Sequence, residues 1–215
     1  MRLVLRRTGF ATLVLLSITI CGYAAYKYGF RPLGEGMHPA MRKSFESHPW
    51  AIYLHVFGAI AALAIGPFQF LGRLRARLPG LHRMLGRIYF GVGVLVGGLA
   101  GLYVALHAFG GWPTRLGFAL LALAWLYTGV RAYRAIRAGD PRSHRQWMIR
   151  NFALTFAAVT LRLLLPAALV SGLRFADAYP FIAWLCWVPN LVIVELFMKR
   201  STTSSPEPTT TVVLT

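Results

Sequence analysis

Apolar residues run through the chain in six long blocks, separated by short polar stretches in which arginine dominates. The blocks cover approximately residues 9–26, 51–71, 88–109, 116–134, 151–172 and 179–198. Each reaches or approaches the roughly 20 residues that a helix needs to cross a hydrocarbon layer about 30 Å thick. Inside that layer a helix satisfies its own backbone polar groups. The pattern therefore predicts an all-α fold, a polytopic transmembrane bundle of six spans with helices two to five as its core. Pro49 follows His48 and suits the first turn of the second span. Gly110-Gly111-Trp112-Pro113 is a turn signal between the third and fourth. Pro189 falls inside the sixth, where neighbouring helices satisfy the carbonyl it leaves free.

The first block has two readings. Arg2, Arg6 and Arg7 precede it, and Gly22-Tyr23-Ala24-Ala25 supplies small residues, as in a signal peptide. Its apolar run is long for such a peptide, which favours an uncleaved helix. The chain then divides into an N-terminal transmembrane helix (or signal peptide) over 1–27, an outer loop over 28–50, a bundle domain over 51–200 and a tail over 201–215. The Ser/Thr/Pro-rich tail is expected to be disordered and cytoplasmic.

Composition agrees. Of the 215 residues 57% are hydrophobic and 13% charged, the latter about half the ~25% of soluble domains. That excludes a disordered chain, and two cysteines exclude a disulfide scaffold. The formal net charge is +17, from 23 Lys+Arg against 6 Asp+Glu. On a soluble domain such a charge suggests nucleic acid; here it sorts by side. Arg2, Arg6, Arg7, the arginines of 73–87 and 131–150, Lys199 and Arg200 make sixteen on one face. Lys27, Arg31, Arg42, Lys43, Arg115 and Arg174 make six on the other. The bias predicts cytoplasmic N- and C-termini and a basic face that meets anionic headgroups rather than nucleic acid.

Polar residues inside spans are costly and mark candidate sites. In the fifth span, His144, Asn151, Thr155 and Arg162 share one stripe at 3.6 residues per turn. Asn151 and Thr155 suit hydrogen bonds to neighbouring helices. Arg162 needs an anion, carbonyls or a hydrated cavity. Glu195 is the one acid within a span, but it lies towards the cytoplasmic end of the sixth helix. A ligand anion, such as a propionate or a lipid phosphate, is the alternative partner. In the second span Ala59, Ala62, Gly66 and Gln69 point the same way as His55. In the third, His82, Gly86, Gly93 and His107 share a side, with Gly97 at its margin. The ladder Gly93, Gly97, Gly101 allows close helix approach or leaves room for a flat cofactor. Asn190, beside Pro189, is placed to satisfy an orphaned carbonyl.

The histidines sort by depth. His55 and His107 fall near the outer face, and His82 and His144 near the cytoplasmic face. Two such pairs are the arrangement that ligates b-type haem between helices, with Arg162 available to a propionate. His82 and His107 are 25 residues apart, about 37 Å along a helix, which places both at the interfaces. There His82-Arg83 and His144-Arg145 also read as headgroup-binding residues. A smaller outer metal site from His38, His48, His55 and His107 is a further possibility, although no tight His/Cys cluster supports zinc. Cys21 and Cys186 read as packing residues. No motif for hydrolysis or group transfer occurs, so an enzymatic role reduces to an oxidoreductase.

Four segments occur together in order: Gly66-Pro67-Phe68-Gln69-Phe70; His82-Arg83 through Gly86-Arg87-Ile88-Tyr89; His144-Arg145-Gln146-Trp147-Met148-Ile149-Arg150-Asn151 running on to Thr160-Leu161-Arg162; and Trp187-Val188-Pro189-Asn190 through Glu195. Over about residues 50–198 the chain resembles the bacterial predicted membrane proteins of domain of unknown function 2306. The resemblance implies an integral membrane protein of the bacterial inner membrane. It marks His82, His144, Asn151, Arg162, Asn190 and Glu195 as positions of interest without assigning a reaction. A more distant likeness is to b-type cytochromes that oxidise ascorbate or quinol. Three functions follow as expectations. The first is a small redox protein holding haem b for transmembrane electron transfer. The second is a non-redox binding or transport protein for a lipid, quinone or anion. The third is an assembly scaffold that docks another membrane protein on its glycine face.

Overall fold

The structure, a computed structural model, describes residues 2–203, which are helical with no strand among them. The expectation of a disordered tail falls largely on residues 204–215, outside the described residues. Six candidate spans are present: Thr8–Gly29, Pro49–Gln69, Pro79–Leu106, Gly111–Arg137, Pro141–Val170 and Phe175–Arg200. Helix α1 (Arg2–Gly29) carries the first. A short helix α2 (Pro39–Ser47) lies in the first loop, and α3 (Pro49–Gln69) forms the second span. After the short α4 (Gly72–Arg77), the third span runs as α5 (Pro79–Ile88), a π-helical stretch (Tyr89–Val96) and α6 (Gly97–Leu106). Helix α7 (Gly111–Arg137) is the fourth. The fifth is α8 (Pro141–Thr155) with α9 (Ala157–Val170), and the sixth is α10 (Phe175–Leu185) with α11 (Val188–Thr203).

Two span boundaries differ from expectation, for local reasons. The third span begins at Pro79 rather than near 88 and ends at Leu106, which leaves His107 as the C-cap. Proline at N1 starts the helix early, and 28 residues reach about 42 Å, so its first turns extend past a ~30 Å hydrocarbon layer. The fifth begins at Pro141, where the Asp140 carboxylate accepts from Ser143 N–H at 2.9 Å. That is an N-cap followed by proline. His48 is likewise the N-cap of α3, so it is not in helical phase with His55.

With six spans, the start of α1 and the end of α11 lie at one end of the bundle, here the terminal end; α2 lies at the other, the α2 end. The core is formed where α3, the third span, α7 and the fifth span (α8 and α9) meet, around Leu63, Tyr89, Val94, Trp125, Phe152 and Val159. Helix α1 packs on α3 and α9.

The small residues of α3 and the third span meet each other. A methyl group at Gly93 would lie 2.8 Å from Ala62 Cβ, and one at Gly58 would lie 2.7 Å from Gly97 Cα. One at Gly101 would lie 2.5 Å from His55 Nδ1. The glycine ladder therefore serves close helix approach. The imidazole of His55 lies on it at Gly101. Most of the predicted α3 face turns this way, down to Gln69 Oε1, 3.5 Å from where a Gly86 methyl would sit, while Gly66 lies chiefly against Phe152 of α8.

Candidate functional site

Two groups of buried polar residues result. Towards the terminal end, Asn151 is fully enclosed. Its Nδ2 donates to Trp125 O at 2.7 Å and to Thr128 Oγ1 at 2.8 Å. Its Oδ1 accepts from Tyr89 O–H at 2.7 Å. Thr155 Oγ1 donates to Asn151 O at 2.9 Å and accepts from Trp125 Nε1–H at 2.8 Å. Each side-chain donor and acceptor atom of the asparagine is used, so this network ties α7, α8 and the π-helical stretch together. Asn151 and Thr155 were anticipated as helix-bonding residues. Their partners Tyr89, Trp125 and Thr128 were not singled out, although Tyr89 stands in one of the four segments that carry the family resemblance.

The second group borders a partly open cavity of about 230 Å³ towards the α2 end. Its walls come from α1 (Cys21, Tyr28), α2 (Ser44, Phe45), α3 (His55), α6 (Gly98, Gly101), α7 (Phe118, Trp125), α9 (Arg162) and α10 (Tyr179). Most of the lining is apolar. The Arg162 guanidinium donates to Ala158 O, one turn back, at 3.0 Å. Among the described residues no carboxylate pairs with it; the four ion pairs lie elsewhere. Glu195 is taken by Arg150, whose Nη2 donates to Glu195 Oε2 at 2.9 Å and whose guanidinium stacks 4.7 Å over Trp147. Groups within electrostatic reach of Arg162 include Cys21, Tyr28, His55 and Tyr179. The helix break at Phe156 divides the fifth-span stripe. Thr155 and Arg162 still border the same cavity, whereas Asn151 faces α7.

His55 lies half-buried in the same wall. Its Nδ1 stands 2.9 Å from Gly97 O. A carbonyl only accepts, so Nδ1 carries a proton, and in the neutral imidazole Nε2 is then the acceptor.

The other anticipated residues are distributed as follows. His107 is exposed at the end of α6, its ring 4.3 Å from that of His48 and 4.7 Å from Tyr103. It does not line the cavity and is not brought face to face with His55. His38 stacks on Phe175 at 4.5 Å. The four outer histidines thus divide between three places, and no group of three or more potential metal ligands occurs among the described residues. At the terminal end His144 Nδ1 lies 2.8 Å from Ala132 O. His82 is within electrostatic reach of His144 but makes no hydrogen bond through its buried Nδ1. Gln69 is buried, with its Nε2 unbonded. Asn190 Nδ2 reaches Cys186 O at 3.0 Å and Thr160 Oγ1 at 3.0 Å. Asn190 thus bonds the carbonyl next to that of Leu185, the one Pro189 leaves free, rather than Leu185 O itself, and joins α11 to α9.

A family model described as predicted membrane protein (DUF2306) matches residues 52–198, more than two thirds of the chain. No curated protein and no solved structure matches it.

Proposed function

Because the chain belongs to the DUF2306 family of predicted membrane proteins, we propose that it is a membrane-embedded binding protein whose cavity receives the polar head of an amphipathic ligand: a lipid, a quinone or an anion. One observation carries this reading. Arg162 borders a mostly apolar cavity with a single backbone carbonyl as its protein acceptor among the described residues. A guanidinium keeps its charge, and an uncompensated charge in an apolar wall is costly. An oxygen-bearing ligand head supplies the missing partner. We place the protein in the bacterial inner membrane, with its termini and most of its arginines on the cytoplasmic side against anionic headgroups.

The redox alternative receives less support. A haem between His55 and His107 needs both rings facing one iron, and His107 packs against His48 and Tyr103 instead. The scaffold alternative needs a free glycine face, and that face is filled by α3.

The test is thermal unfolding of the detergent-purified protein with dodecanoate, decylubiquinone and phosphatidate as probes. At least one should raise the midpoint in the wild type, and Arg162→Ala should abolish that shift while its own midpoint stays near or above the wild-type value. Shifts that survive Arg162→Ala contradict the reading. An absorption spectrum of protein from haem-replete cells should be featureless. A Soret band weakened by His55→Ala or His107→Ala would restore the redox reading.

A further inference from the structure

The proposed binding reading, on which the following rests, leaves the ligand head open. The opposite wall narrows it. His55 is held by two contacts that fix its orientation and its tautomer together. The Nδ1–Cε1 edge lies against the α6 backbone at Gly101, where any larger residue would collide with it. Nδ1–H donates to Gly97 O at 2.9 Å. In the neutral ring Nε2 is then the hydrogen-bond acceptor, on a residue that lines the cavity. Arg162, on another wall of the same cavity, only donates. The two walls therefore ask for different things. Arg162 asks for an acceptor oxygen; His55 asks for a ligand O–H or N–H.

Size and surface add a third constraint. A dry cavity of about 150 Å³ accepts benzene, and pockets for drug-sized molecules run from about 300 to 1,000 Å³. The 230 Å³ here suits one substituted ring. Phe45, Phe109, Phe118, Trp125 and Tyr179 line it, and such side chains favour stacked or edge-on aromatic neighbours. We infer that the cavity selects a hydroxyaryl head: a single ring with an acceptor oxygen towards Arg162 and a hydroxyl donating to His55 Nε2. The reduced, hydroxyl-bearing form of a quinone has this chemistry and the oxidised form lacks the donor. A water-soluble phenolic acid has it as well.

Competition binding on the full chain in detergent tests the inference. Decylubiquinol should bind roughly fivefold to tenfold more tightly than decylubiquinone or the quinol's 1,4-di-O-methyl ether, the effect of one hydrogen bond to a fixed acceptor. His55→Phe should erase that preference while leaving the affinity for the ether. Should the variant fail to fold, the wild-type comparison of quinol and ether still carries the test. 4-Hydroxybenzoate against 4-methoxybenzoate separates the sources. The same preference there, without the alkyl tail, points to a soluble phenolic acid; preference confined to the tailed pair points to a membrane quinol. Equal affinities for quinol, quinone and ether overturn the inference. So does Arg162-dependent stabilisation by dodecanoate with no binding of any hydroxyaryl probe, and either result leaves the Arg162 reading itself standing. Loss of Arg162 dependence for every probe would instead defeat that underlying reading.

Discussion

The two halves of this bundle bury polar groups in opposite ways. Around Asn151 every side-chain donor finds a protein acceptor and every acceptor a donor, across three elements. Around Arg162 and His55 the hydrogen bonds go to backbone carbonyls, and the remaining capacity borders a cavity. The difference separates two purposes that look alike in sequence. A closed network holds helices in register; a half-satisfied pair of polar walls holds something else. Thr155 touches both, as the donor that closes the network and as part of the cavity wall.

The comparison breaks most readily at the network. Asn151→Leu removes three side-chain hydrogen bonds and leaves Tyr89 O–H only its 3.1 Å contact with Thr155 Oγ1. At roughly 0.6 kcal/mol per bond within membranes, the loss should be about 2 kcal/mol, read by denaturant unfolding in mixed micelles. Gly97→Leu comes next. It drives a side chain into the Gly58–Ala59 backbone at a 3.2 Å approach, and overpacking of this kind costs about 1–3 kcal/mol. Its unfolding midpoint should fall, and a further loss of quinol binding should accompany it through the displaced His55. Arg162→Ala should move stability little or upward, because it removes an uncompensated charge. It should cost at least about tenfold in affinity for an anionic probe by titration, as expected for losing a charge-assisted bond. The smallest effect belongs to Glu195→Gln. The Arg150–Glu195 pair is partly exposed, so its loss should change the midpoint by less than about 1 kcal/mol equivalent and leave binding alone.

Much of this was legible in the sequence. Hydropathy alone located six spans, and helical phase put His55, Ala59, Ala62, Gly66 and Gln69 on one face of the second span, most of which meets the third. The separation of Arg162 from Glu195 also followed from their depths; the acid proved to belong to Arg150. What stayed hidden depends on contacts between distant residues. Tyr89, Trp125 and Thr128 are unremarkable aromatic and hydroxyl residues until Asn151 reaches them across 62, 26 and 23 positions. The cavity is the joint product of at least six helices, and Tyr28 and Tyr179 enter it only because α1 and α10 pack there. The pairing of His55 with His107 rested on shared depth. Depth says nothing of azimuth at a helix end, and the C-cap position of His107 turns it towards His48.

The most direct measurement is photo-crosslinking with a dodecyl amphiphile bearing an aryl azide beside its anionic head, mapped by peptide mass spectrometry in wild-type protein and Arg162→Ala. The account predicts wild-type adducts on cavity-lining residues of α1, α2 and α10, such as Tyr28, Phe45 and Tyr179, lost in the variant. Adducts confined to the lipid-facing surface, or cavity adducts undiminished by Arg162→Ala, would contradict it.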